Sequence, residues 1–138
     1  MIKIYIDIDG VLLSKKQVKL VENAKSLIEF AIMNFDCYWL TTHCKGDCKN
    51  VWGYLSKYFD KETMELIKQI KPTLWDTLKT EAIDFSTEFF WLEDNPFQAE
   101  LLILKEKNFL DRLITVNNNK KDELIRVKKL LENQLKNN

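Results

Sequence analysis

Residues 2–8 alternate Ile2, Ile4, Ile6 and Ile8 with Lys3, Tyr5 and Asp7, the period-two pattern of a strand. The run breaks at Gly10. Val18, Val21, Ala24, Ile28 and Ala31 then recur at helical spacing and predict a first helix over about residues 16–34. "CYWLT" (37–41) is a short apolar run suited to a buried strand. Two shorter helices are predicted over 47–58 and 61–70, the second with Met64, Ile67 and Ile70 on one side. "FFWL" (89–92) reads as a second buried strand run, 96–107 as a helix and "LITV" (113–116) as a further strand. A last helix over 120–136 carries Leu124, Val127, Leu131 and Leu135, and "NNNKK" (117–121) is a polar loop before it.

Strands alternating with helices imply an α/β fold: a three-layer, Rossmann-like parallel sheet with helices on both faces. No linker or repeat divides residues 1–138, so one domain is expected. Ligands of such sheets sit outside the carboxyl ends of the strands. Polar residues follow three of the apolar runs directly: Asp7 and Asp9, then Thr41 and Thr42, then Glu93 and Asp94. Parallel strands would bring all three groups to one sheet edge. The odd-numbered polar residues of the first strand suggest that one of its sides serves a site there.

Composition narrows the class. Of 138 residues, 46% are hydrophobic and 30% charged, which suits a globular protein with one real core. The formal net charge is zero, so no overall basic excess advertises nucleic acid. The last helix is locally basic (Lys120, Lys121, Arg126, Lys128, Lys129), by default a solvated face and otherwise a surface for a phosphate-rich partner. Three cysteines in a chain with ample core argue against a disulfide scaffold. No apolar run approaches the length of a membrane span, and the first strand pattern is unlike a signal peptide. A cytoplasmic location with reduced thiols is expected.

Clustered carboxylates resist ionisation together unless a cation compensates them. Oxygen ligands favour Mg²⁺ over zinc, and such a metal binds phosphate and neutralises its charge. Asp7, at a strand end, is placed to attack phosphorus. Asp9 is placed to donate a proton to the leaving oxygen and later to take one from water. Thr41 can hydrogen-bond a phosphoryl oxygen, and a lysine can offset developing charge. The plain alternative is a half-buried edge strand with incidental acids. An EF-hand is excluded by spacing: with Gly10 at position 6, Tyr5 and Lys16 occupy the two end positions that need acids. A response-regulator receiver is disfavoured by order, because its phosphorylated Asp ends a middle strand.

"IDIDGVL", "WLTTH", a downstream Lys and "FFWLEDNP" together resemble the haloacid dehalogenase superfamily of phosphohydrolases, whose four motifs they match in order over residues 7–94. The resemblance implies that Asp7 is the nucleophile and a Mg²⁺ ligand. Asp9 is the general acid/base, with its backbone carbonyl also on the metal. Thr41 is the second-motif hydroxyl, with Thr42 as its understudy. Asp94 is a metal ligand. Glu93 departs from the commoner Asp-Asp pair, and its part in the metal site is less defined. Either Lys71 or Lys79 is the motif lysine; Lys79 is favoured, because compact members carry it close before the acidic pair. Gly10, Thr42 and His43 are expected at the substrate. The first cap position of the family, Val11 to Ile28, has room only for a small flap, and the second, His43 to Thr77, holds only two short helices, so the chain resembles a capless member. Its open site suits a phosphate on a large or macromolecular substrate. Two other readings are a non-catalytic module that holds a phosphorylated ligand or partner, and a nucleic-acid end-processing phosphatase.

His43, Cys44 and Cys48 offer zinc at most three ligands, so packing is the better reading of the cysteines. Trp39 and Trp91 are read as core. Trp52 and Trp75 are placed near the mouth, with core packing favoured for both.

Overall fold

The computed structural model describes residues 1–137. Four parallel strands form one sheet: β1 (Lys3–Ile6), β2 (Asp36–Trp39), β3 (Phe89–Glu93) and β4 (Leu113–Thr115), in the order β2-β1-β3-β4. Five α-helices accompany them: α1 (Ala24–Asn34), α2 (Lys49–Leu55), α3 (Lys61–Ile67), α4 (Gln98–Glu106) and α5 (Glu123–Lys136). The α/β class and the parallel sheet expected from the sequence are thus observed. All four strand runs and four of the five helices lie where the pattern puts them, with frayed ends.

The two faces of the sheet are both apolar, for a period-two reason. Ile4, Ile6, Phe90 and Leu92 point to one side. There they join Leu27 and Ile28 of α1, Val51 and Leu55 of α2, Ile67 of α3 and Val127 and Leu131 of α5 in one cluster. Tyr5, Phe89 and Trp91 point to the other side, against Leu104 of α4, Trp75 and Ile83. Along β1 itself the odd-numbered side is therefore a second core: Tyr5 packs there and Lys3 pairs with Asp84, and only Asp7, past the strand end, serves the site. The Tyr5 hydroxyl accepts from the Asp84 N–H at 3.0 Å, and Lys3 pairs with the Asp84 carboxylate at 3.0 Å. Both residues anchor the chain before β3.

The first helix begins at Ala24 rather than near residue 16. Between them the chain makes a small flap, in which Leu13 and Leu20 form an antiparallel bridge and Val21 N–H donates to Leu12 C=O. Val18 mimics helical spacing but is half exposed. Asn23, at φ 72°, takes the left-handed conformation that separates flap from helix. Val21 packs against the core from the flap, but the helix that carries the rest of the stripe begins at Ala24. Asn118, in the polar loop before α5, donates to Leu13 C=O at 3.1 Å and ties that loop to the flap.

Strand order places the site. From β1 the chain moves outward to β2, then returns to the opposite side of β1 for β3 and β4. The order reverses between β1 and β3, and a crevice opens at such a point. In the register, Ile6 faces Trp39 on one side and Leu92 on the other. The next residues, Asp7, Leu40 and Glu93, come level at the sheet edge.

Ile28 is fully buried on α1 and Met33 is largely exposed on the same helix. Ile28→Ala is expected to cost about 2–4 kcal/mol in urea unfolding through lost burial and a residual cavity. Met33→Ala should stay within about 0.5 kcal/mol. Equal effects would contradict the packing described.

Candidate active site at the carboxyl edge of the sheet

Asp7 ends β1 almost fully buried. Its Oδ1 accepts from the Ile8 N–H at 2.8 Å, and its Oδ2 lies 3.1 Å from Lys79 Nζ. The chain then turns sharply, with the N–H groups of Val11, Leu12 and Leu13 all directed at Ile8 C=O. Gly10 sits in this turn at φ +84°, and a Cβ there would lie 2.2 Å from Asp94 Cγ. Both the backbone conformation and the contact exclude a side chain. The glycine lets the loop after β1 close onto the loop after β3.

Glu93 and Asp94 end β3. Glu93 turns back on its own loop: Oε2 accepts from the N–H groups of Asp94 (3.0 Å) and Asn95 (3.1 Å). Its Oε1 lies 2.5 Å from Lys79 Nζ. Lys79 thus bridges the two strand ends, from a short 3₁₀ turn at Lys79–Ala82. That turn is pinned through Glu100, which accepts the Lys79 N–H at 2.7 Å and the Phe97 N–H at 2.8 Å. Asp94 instead pairs with Lys15 of the flap at 2.7 Å. One carboxylate oxygen from each of Asp7, Glu93 and Asp94 lies within 4.8 Å of the others. This is the one group of potential metal ligands among the described residues.

The charges do not balance. Three carboxylates face two ammonium groups, of which Lys15 is half exposed. Burial, and then the charge of Asp7, push the Glu93 carboxyl up to about 8 against the pull of Lys79. Burial opposes the charge on Lys79, but the neighbouring Asp7 and Glu93 outweigh it and raise the lysine above its ordinary value. The hydrogen bond to Asp94 does the same for Lys15. A buried cluster with this excess has room for one more positive charge, and its all-oxygen donors suit a hard divalent cation such as Mg²⁺.

Asp9 stands apart from this cluster. Its Oδ1 accepts from the Tyr54 hydroxyl at 2.8 Å, and its Oδ2 lies 2.7 Å from His43 Nε2. The His43 and Tyr54 rings stack, with centroids 4.3 Å apart and planes 26° from parallel. Burial and the Asp9 contact push the Tyr54 hydroxyl up to about 12, which keeps it a donor. Thr41 is fully buried and its hydroxyl accepts from the His43 N–H at 3.4 Å. Thr42, exposed, lines a cavity of about 300 Å³ together with Asp7, Asp9, Lys79 and Asp94.

The residues assigned to the four motifs and to the substrate therefore gather at one edge, and Lys71 does not. Lys71 runs beside the β2 edge, exchanging backbone hydrogen bonds with Cys37 and Trp39, and pairs with Asp36 at the opposite end of that strand (2.8 Å). Trp75 lines the cavity under Lys45 (4.2 Å), but Trp52 belongs to a groove between α2 and α3. Trp39 and Trp91 are core. Cys44 and Cys48 are buried and direct their thiols to the carbonyls of Thr73 and Ile70, while His43 turns to Asp9, so these three do not form a metal site. Sequence reasoning missed Lys15, Tyr54 and Glu100. Only Glu100 had a local signal, an acid in the first turn of a helix.

No family model, curated protein or solved structure matches the chain.

The raised Glu93 pKa has a consequence for stability. The ordinary value is 4.5 and the folded value about 8, so the fold favours protonated Glu93. That contribution is complete below pH 4.5 and is lost as pH rises towards about 8. In metal-free protein, Glu93→Gln cannot ionise and should gain melting temperature relative to the wild type across this window. A difference that does not change with pH would contradict the assignment.

Proposed function

We propose that the chain is a Mg²⁺-dependent phosphomonoester hydrolase that works through an aspartyl-phosphate on Asp7. The observation that carries this reading is the meeting of Asp7, Glu93 and Asp94 around Lys79 at the strand-order reversal. It supports the resemblance to the capless haloacid dehalogenase type.

Asp7 and Asp94 would hold the metal, with the Asp9 backbone carbonyl. Glu93 is already committed to Lys79 and two N–H groups, and adds charge more than a free donor. A bound Mg²⁺ supplies charge neutralisation at the phosphoryl oxygens. The Asp7 carboxylate forms the new bond to phosphorus as the bond to the leaving oxygen breaks. That oxygen takes its proton from the Asp9 carboxyl. Asp9, now ionised, accepts a proton from water as the water oxygen attacks phosphorus, and Asp7 and inorganic phosphate are released. Lys79 faces the Asp7 oxygen and stabilises charge that develops there. Thr42 lines the space a phosphoryl group would fill, whereas Thr41, expected in that role, is fully buried with its hydroxyl accepting from the His43 N–H. The flap contributes only Lys15 to the cavity lining, and a site without a cap domain suits a phosphate at the end of a large molecule.

The purified protein is expected to hydrolyse 4-nitrophenyl phosphate with Mg²⁺, and EDTA should abolish this. Asp7→Asn should lower kcat by 10³-fold or more, on the order seen when a covalent nucleophile is removed. Turnover that survives either change would overturn the mechanism. Mg²⁺ binding without turnover on any phosphate would point instead to a non-catalytic phosphate-binding module.

A further inference from the structure

Asp9 is held in a way that its role as an acid does not explain. The other three acids at the edge are anchored by lysines or by the backbone. Asp9 is instead gripped at both oxygens by two aromatic side chains from another part of the chain. In its ionised form, the form that takes a proton from water, the Asp9 carboxylate only accepts hydrogen bonds, so the Tyr54 hydroxyl and His43 Nε2 both donate to it. Each donor is itself fixed. Tyr54 lies on α2 between Val51 and Leu55, both fully buried, and Tyr58 packs edge-on against its ring at 5.8 Å. His43 is stacked on the Tyr54 ring, and its own N–H is tied to buried Thr41.

The Asp9 side chain itself is 34% exposed. Without partners it would sample several rotamers, and a general acid works only when it is held within reach of the proton's destination. We infer that Tyr54 and His43 are positioning residues for Asp9, forming a clamp that fixes its carboxylate at the rim of the cavity. The acid–base element is then a three-residue unit built from the β1 loop, the β2 loop and α2. This rests on the phosphatase reading for its purpose, but not for its geometry. His43 is thereby assigned to Asp9 rather than to substrate.

Two measurements test it. The first uses aryl phosphates of graded leaving-group pKa, from 4-nitrophenyl to phenyl phosphate. Protonation of the leaving oxygen matters most for the poorest leaving groups. Tyr54→Phe keeps the ring and removes only the hydroxyl. It should lower kcat for phenyl phosphate about tenfold more than for 4-nitrophenyl phosphate, within the 10²–10⁴-fold that a positioned acid supplies. KM should hold, and Tyr54→Phe should add nothing further in an Asp9→Ala background. An equal loss along the series, an effect on KM alone, or additivity with Asp9→Ala would overturn the clamp while leaving the phosphatase reading intact.

The second measurement needs no turnover. His43 is the single histidine of the chain, so its ring nitrogens can be read alone by ¹⁵N–¹H NMR. The clamp requires hydrogen on Nε2 in the wild type and a changed ring signal in both Asp9→Ala and Tyr54→Phe. A ring protonated only at Nδ1, or a signal indifferent to Asp9→Ala, would overturn it even if no phosphate is hydrolysed.

Discussion

The carboxylates of Asp7 and Glu93 share one lysine at the end of a parallel sheet, and the rest of the site is arranged around that imbalance. Neither acid is free to move away. Asp7 is tied to the Ile8 N–H and Glu93 to two N–H groups of its own loop. Asp94 adds a third negative group within 4.8 Å. Like charges held this close raise one another's pKa unless a cation joins them. The Glu93 carboxyl, pushed up to about 8 by burial first and then by the charge of Asp7, registers part of that tension. The proposed Mg²⁺ relieves it, and the same excess would otherwise oppose a phosphate dianion. Cation first and phosphate second is therefore the electrostatic order that the cluster favours.

Several distant parts of the chain serve to hold this arrangement. Gly10 allows the loop after β1 to touch Asp94, at a spacing that no Cβ would permit. Glu100 binds the turn that carries Lys79 to the start of α4. The flap returns Lys15 to Asp94, from a segment that is tied in turn to Asn118. The lysine bridge thus depends on a helix start and a 3₁₀ turn, and these rest against the second hydrophobic core around Trp91 and Leu104. Buried ion pairs of this kind cost desolvation, and they are weak evidence of stability alone. Their value here lies in fixing where charge stands.

Much of this was readable in the chain before any coordinates. The run around Ile4 alternates and the runs around Trp39 and Trp91 are apolar throughout, so all three read as strands, and the polar residues that follow them mark the edge where they meet. Lys79 is separable from Lys71 by its closeness to the Glu93-Asp94 pair. Other features were not local. Val18 and Val21 match a helical period but lie in a flap, because Asn23 takes the left-handed conformation ahead of α1 and Val18 is half exposed. Tyr5 looked polar along the strand, yet its ring is core and only its hydroxyl is used, by Asp84. Tyr54 meets Asp9 across 45 positions of sequence, and nothing near either residue announces the contact.

The central claim is that the Asp7 carboxylate is the atom group that receives phosphate. Acid quench of the protein during turnover of an aryl phosphate, followed by peptic digestion and mass spectrometry, addresses it directly. The account predicts phosphate on the peptide that carries Asp7, labile to hydroxylamine as an acyl phosphate is, and absent from Asp7→Asn protein. Phosphate found on Asp9 or His43, or turnover with no labelled peptide at any quench time, would contradict it.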